Sequence, residues 1–293
     1  EHLTWLWREE PPTGPNLQSY SDAPAITSMM KKLDADDLVS FAYVGGKKPE
    51  DASPWQFYVQ GVRAWRAQMA SGGLGALAFS FPALFVEENP TAFQDLFVKF
   101  SRLLRVVHGH AGFAFNLSLP REEQNEATEA FMTTLMNGID AGNAAVIGGR
   151  GKSGIREHIK SVGWLTAVNH ALLDKVGGLF ALHSELPADW FAKYDYGDGI
   201  VVQAGPKPEI ADVNIDPLPA LFVLPNMAFK EVRIEKIETL HYPSQHGEPR
   251  LVGWAAEQWI RRFDVPDDQV MSFKSKLLHE PKLTRTTTLP DHL

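Results

Sequence analysis

Cysteine is absent from the 293 residues, which excludes a disulfide framework, a thiolate metal site and a cysteine nucleophile. Cations are the scarcer charge: 28 Lys and Arg stand against 36 Asp and Glu, a net charge of −8. Phosphate binding needs a cationic surface, so nucleic acid is not expected as a direct ligand. Long apolar runs are also missing. The longest weakly charged stretch, Gly72 to Val86, is too short to cross a bilayer and contains Pro82, so no membrane span is expected. Residues 1–10 have neither the basic nor the continuous apolar region of a signal peptide, and the default expectation is a cytoplasmic protein. What is there is 44% hydrophobic, with 8 Trp and 17 Phe. At this length that suffices for a dense core in one large domain or two ordinary ones.

Residues 1–25, with Pro11, Pro12, Pro15 and Pro24, read as an extended N-terminal arm. Leu38–Val44 is apolar and β-branched, a strand stopped by Gly45 and Gly46. Phe57–Met69 has helical spacing, Gly72 and Gly73 would cap that helix, and Leu74–Phe81 follows as a buried strand. Asn89 and Pro90 suit the first positions of a helix whose apolar stripe is Phe93, Leu96, Phe97, Phe100, Leu103 and Leu104. With Gly109 ending it and Gly112–Leu119 as a strand, the span has the size of a βαβ unit. A further helix runs from Pro120 to about Met136, with its carboxylates at the favourable end.

In the second half, Leu165–Val176 reads as a helix, Gly177 and Gly178 as its cap, and Phe180–Leu186 as a strand. Gly72-Gly73 and Gly177-Gly178 are offset by 105 residues, as are Pro82 and Pro187, which suggests two related halves in one domain. Gly199–Ala204 is a strand, Val232–Thr239 an edge strand, and Leu251–Phe263 a helix anchored by Trp254 and Trp259. Apolar content falls after Pro266, so the expected organisation is an arm over 1–25, a domain over 26–265 and a loosely held tail over 266–293. The fold class is α/β: a mixed β-sheet with helices packed on its faces.

Motifs for catalysis are few. Gly148-Gly149-Arg150-Gly151-Lys152-Ser153 imitates a phosphate loop, but Val146 stands where its first glycine belongs, and it reads as a basic surface loop. His108 and His110 would share one face of a strand, but no third ligand is evident. At a helix end their imidazoles would serve the C-terminal carbonyls. A metal-dependent hydrolase using His108, His110 and carboxylates is the rival reading. Asp195 and Asp198 lie in a Gly- and Tyr-rich turn and suit turn stabilisation. No catalytic residue, cofactor or metal ligand is assigned.

Charge is more informative. Residues 185–216 carry seven acids against Lys193 and Lys207, a local net of −5, interleaved with aromatics. Asp189, Trp190, Tyr194, Asp195, Tyr196, Asp198, Asp212 and Asp216 are therefore the candidate partner-binding residues. The five acids from Glu122 to Asp140, without Lys or Arg, read as a solvated face.

Several ordered segments then carry a likeness. Ser161-Val162-Gly163-Trp164-Leu165-Thr166, Leu172-Leu173, Gly177-Gly178, and Gly199 to Pro208 leading to Asp212-Val213-Asn214 resemble the type VI secretion immunity family. Gly73–Pro82, Glu87-Glu88-Asn89-Pro90 and Gly109-His110-Ala111-Gly112 fit as well, so the likeness covers roughly residues 55–225. Members usually carry Gly before the Asp-x-Asn, where this chain has Ala211. The resemblance implies a non-enzymatic cytosolic inhibitor of a secreted antibacterial toxin, often a nuclease. The implied partner is a basic nuclease domain, covered at its active or substrate-binding site by an acidic surface.

Overall fold

The computed structural model describes residues 2–11, 13–69, 73–149, 154–244 and 246–290. Sheet 1 is built from β1 (Trp5–Arg8), β2 (Leu17–Ser19), β3 (Ser40–Val44), β4 (Gln56–Gln60) and β5 (Ala76–Ser80), in the order β2-β1-β3-β4-β5. Sheet 2 contains β6 (His108–Ala111), β7 (Leu165–Asn169), β8 (Phe191–Asp195) and β9 (Gly199–Ala204), in the order β6-β7-β9-β8. Every strand pairing within the two sheets is antiparallel. The helices are α1 (Ile26–Met30), α2 (Ala64–Ala67), α3 (Ala83–Glu88), α4 (Ala92–Leu104), α5 (Glu122–Thr133), α6 (Ala144–Gly149), α7 (His170–Lys175), α8 (Gly178–Glu185), α9 (Ala220–Ala228), α10 (Trp254–Ile260) and α11 (Val270–Lys276). The α/β class holds, with two sheets in place of one mixed sheet.

Sheet 2 is the centre of the core, because its strands are covered on both faces. Val168, Phe191, Ile200 and Val202 pack into the cluster formed with α7, α8, α9 and α11. Their neighbours Leu165, Ala167, Ala192, Tyr194 and Val201 turn to the opposite side, toward Phe93 and Val98 of α4. Burial on two faces explains why β9 reads as a largely apolar run without alternation, Gln203 being its one polar side chain. Sheet 1 is fastened to this core by aromatic rings: Phe79 lies 5.3 Å from Phe93, and Phe93 lies 6.0 Å from Trp164.

Several segments differ from their expected form. Phe57–Met69 begins as strand β4, because Phe57 and Val59 alternate with Gln56, Tyr58 and Gln60 and pack on buried Leu6, Phe41 and Tyr43. Asn89 closes α3, its side-chain amide donating to the Phe85 carbonyl at 3.0 Å, and does not open α4. α4 stops at Arg105 with φ 49°, and Gly109 lies inside β6. Beyond β6, residues 112–119 make one isolated bridge, Ala114 to Asp140, where a full strand was expected. β5 and β6 belong to different sheets, so no βαβ unit forms.

Leu165–Val176 is a strand and a short helix, the break fixed by Asn169, whose side chain accepts the Leu172 N–H at 2.9 Å. Gly177 and Gly178, with φ of 88° and 75°, turn α7 directly into α8. The strand expected over Phe180–Leu186 is therefore helix. Since Leu74 leads into a strand and Leu179 lies in a helix, the matched glycine spacing does not mark a structural repeat. Gly72 and residues 150–153 of the basic loop lie outside the described residues. Val232–Thr239 has only bridges at Arg233 and Thr239. Trp259 is buried in α10, whereas Trp254 is 74% exposed and anchors nothing.

The two ends of the chain are also tied in. Residues 5–8 and 17–19 supply strands to sheet 1. The tail expected to be loose places Phe273 and Leu277 in the core. It then runs past β8, where the Trp190 indole donates to the Glu280 carbonyl at 3.1 Å and Gln203 donates to Thr287 at 2.9 Å.

Candidate functional site

Beside the aromatic junction of the two sheets a cleft of about 1690 Å³ opens. β5 and β6, each an edge strand of its sheet, line it along their whole length. Its charged lining is one-sided: eight carboxylates against Arg105, Lys160 and Lys207. With histidines neutral and every carboxylate ionised that is a formal net of −5. Burial raises Glu122 and pushes Glu126 and Glu209 up to about 7, so the full charge develops above neutral pH, and the field attracts cations.

Three of those carboxylates come from one face of α5. Glu122, Glu126 and Glu129 follow i, i+4, i+7 spacing, which aligns them on the helix. They fasten distant chain segments. Glu126 accepts the Tyr242 N–H at 2.9 Å and Arg250 at 3.0 Å. Glu129 accepts the Gly142 N–H at 2.8 Å and meets the His241 Nε2 at 2.7 Å. His241 Nδ1 accepts the Leu251 N–H at 3.1 Å, so its proton sits on Nε2 and donates to Glu129. Glu122 accepts from the Asn143 side chain at 2.9 Å. Glu126 and Glu129 are buried, which corrects the expectation of a solvated acidic face.

In the cleft lining Asp140 pairs with Lys160 and His110. Its Oδ1 lies 2.7 Å from Lys160 Nζ and 2.9 Å from His110 Nε2. Burial alone would push Asp140 up, but His110 and Lys160 hold its carboxyl well below the usual range. Lys160 also donates to the Ala141 carbonyl at 2.5 Å and sits 5.0 Å above the Trp259 ring. Arg262 stacks on the same ring at 3.6 Å, and burial pulls its guanidinium down to about 9. His108, on the same face of β6 as His110, is pulled down to about 4 by burial, with His110 adding to the effect. These histidines thus belong to a strand, not to a helix end. Among the described residues no group of three or more His, Asp or Glu is arranged to hold a metal.

Residues 209–212, Ile215 and Asp216 also line the cleft. Gly138 donates to Ile210 at 2.8 Å and Asn137 to Ala211 at 3.0 Å. A Cβ at 138 would collide with the Glu209 carbonyl, so this close approach requires glycine. Ala211 holds φ 49°, a left-handed conformation natural to glycine. Ala211→Gly is expected to stabilise the chain by about 0.5–1 kcal/mol, read from denaturant midpoints. Burial pushes Glu209 up to about 7, helped by Glu280 and Asp216. The folded protein then holds this proton more tightly than the unfolded chain, so its contribution is full below about 4.5 and is lost as pH rises toward 7. Glu209→Gln should therefore be the more stable protein at pH 8, by roughly 2 kcal/mol, and should match wild type at pH 4. Equal midpoints at both pH values would contradict this.

The family model for TsiV, described as type VI immunity for VRR-NUC, matches residues 1–263. The chain belongs to the TsiV family. Its role is that of an immunity protein against VRR-NUC nuclease toxins of type VI secretion, not of an enzyme. The chain is also similar to a solved Pseudomonas aeruginosa T6SS protein, 46% identical, with a TM-score of 0.94, covering 100% of this chain and 81% of that one. None of the curated proteins is significantly similar. No helix among the described residues is long and apolar enough to cross a membrane.

In this TsiV chain the eight candidate partner residues do not form one patch. Trp190, Tyr194 and Tyr196 are core side chains, 7%, 1% and 0% exposed, and correct the expectation of an aromatic docking surface. Trp190 is held by Glu280, Tyr194 by Gln203, and Tyr196 donates to the Val106 carbonyl at 2.7 Å. Asp195 accepts the Gly197 N–H at 2.6 Å, the turn role expected of it. Asp198 is paired to Arg105 at 2.9 Å and Asp189 to Lys282 at 2.6 Å. Only Asp212 and Asp216 of the eight line the cleft. The acids of α5 and Asp140, which the sequence reading set aside, are there instead.

Proposed function

We propose that this chain neutralises its cognate VRR-NUC toxin in the cytoplasm by covering the active or substrate-binding face of the nuclease. The observation that carries the reading is the family assignment over 1–263, joined to a cleft with eight carboxylates against three cations. A nuclease presents a cationic surface to the phosphate backbone, and the cleft is its electrostatic complement. Asp212 and Asp216 at the cleft form the contact, with Asp195 adding to the long-range field, while Asp189 and Asp198 are offset by Lys282 and Arg105. Neutralisation proceeds without turnover. In a nuclease assay, inhibition should titrate linearly and saturate at a fixed molar ratio of this chain to toxin. Several toxin molecules silenced by each inhibitor molecule would overturn the reading.

A further inference from the structure

The two edge strands of the cleft carry backbone groups that make no hydrogen bond to the other described residues, although α6 packs beside β5. The ladders fix which ones. Gly61 N–H donates to Val39 at 2.7 Å and Gly45 N–H to Trp55 at 2.9 Å, so 39↔61 and 45↔55 are hydrogen-bonded pairs between β3 and β4. Val59 and Phe57 therefore turn their N–H and C=O toward β3, and Tyr58 and Gln60 toward β5. On β5 the partners Ala76 and Ala78 face β4, leaving the N–H and C=O of Leu77 and Phe79 pointing away from sheet 1. In sheet 2, Asn169 N–H donates to Val107 at 2.9 Å, so Gly109 and Ala111 face β7. The N–H and C=O of His108 and His110 point the other way. Among the described residues, the backbones of Leu77, Phe79, His108 and His110 make no hydrogen bond outside their sheets.

Three further observations bear on what these edges receive. At about 1690 Å³ the cleft exceeds the ordinary size of a small-molecule pocket, roughly 300–1,000 Å³. Its charge complements a cationic occupant. His108 Nε2, within the lining, is buried without a hydrogen-bond partner. We infer that an extended, Lys- or Arg-bearing segment of the nuclease lies in the cleft as an added β-strand, taking backbone hydrogen bonds from the free edge of β5, of β6, or of both. An open edge is a template for a strand from another chain, and alternate side chains of that strand would reach the carboxylates. The inference rests on the proposed toxin contact and specifies its form.

The test is amide hydrogen exchange resolved by residue, on the full chain with and without a catalytically inactivated cognate VRR-NUC domain. The expected result is at least tenfold slower exchange at Leu77 and Phe79, or at His108 and His110, in the complex. Protection confined to other surfaces, with the complex formed, overturns strand addition and leaves the toxin contact standing. Failure of the two proteins to associate overturns both. As a second arm, Leu77→Pro removes an N–H that faces the cleft and spares the bonds to β4. Where exchange places the added strand on β5, this variant should bind at least tenfold more weakly, and unchanged affinity there would reject the pairing.

Discussion

Asp140→Ala is expected to destabilise the folded chain by about 3 kcal/mol, because it removes the carboxylate from a buried set of cations. Lys160 is 4% exposed and Asp140 is its ion-pair partner, while Arg262 is buried and the same carboxylate partly offsets the lowering of its guanidinium by burial. Without Asp140 the ammonium keeps one hydrogen bond, to the Ala141 carbonyl. The cost sits at the lower end of the range for breaking a buried pair, since the Asp140 side chain retains 29% exposure and water can reach it. Denaturant unfolding of Asp140→Ala measures the loss directly. Lys160→Met in the same background should recover part of it, because an apolar side chain no longer needs the counter-charge. A double variant as unstable as the sum of the two single ones would show that Asp140 acts through something other than Lys160.

The same network shows what could be read from the chain and what could not. Leu38–Val44 and Gly199–Ala204 were legible as strands because burial on both faces leaves a mostly apolar run, broken only by Ser40 and Gln203. Phe57–Met69 misled because Phe57, Gly61, Trp65 and Gln68 fall at helical spacing, whereas Gly61 ends a strand and Trp65 is 47% exposed. The α5 carboxylates shared a face with buried Ala130 and Thr133, and that alignment was the available signal. What hid their role is distance along the chain: His241 is 112 residues from Glu129, and Arg250 is 124 from Glu126. Trp190 and Tyr196 failed as surface residues for the same reason, each bonded to a backbone carbonyl 90 residues away. Composition located the negative charge of the protein, but only the packing of residues 137–138 against 210–211 brought part of it to the cleft.

Reversing charge at the cleft should slow toxin capture far more than the same reversal elsewhere. Asp212→Lys with Asp216→Lys changes the net charge from −8 to −4 in the lining of the acidic cleft. Asp195→Lys with Asp198→Lys makes the same change on the β8–β9 turn, outside the cleft lining. Electrostatic steering acts mainly on association, and a focused field inside low-dielectric walls raises on-rates by roughly 10–10³-fold. The cleft pair should therefore lose about tenfold in association rate at low salt, and the turn pair about twofold. Added salt should close the gap, since the Debye length falls from about 30 Å at 0.01 M to about 8 Å at 0.15 M. Stability is a separate matter. The cleft pair loses the turn bonds that Asp212 accepts from the Asn214 N–H at 2.8 Å and Asp216 from the Leu218 N–H at 3.3 Å, and the turn pair loses the Asp195–Gly197 bond and the exposed Asp198–Arg105 ion pair. Melting curves check that both remain folded. Stopped-flow association with the cognate nuclease domain at two salt concentrations then decides: equal slowing by the two pairs would mean that net charge alone steers the toxin, and greater slowing by the turn pair would move the contact from the cleft to the β8–β9 hairpin.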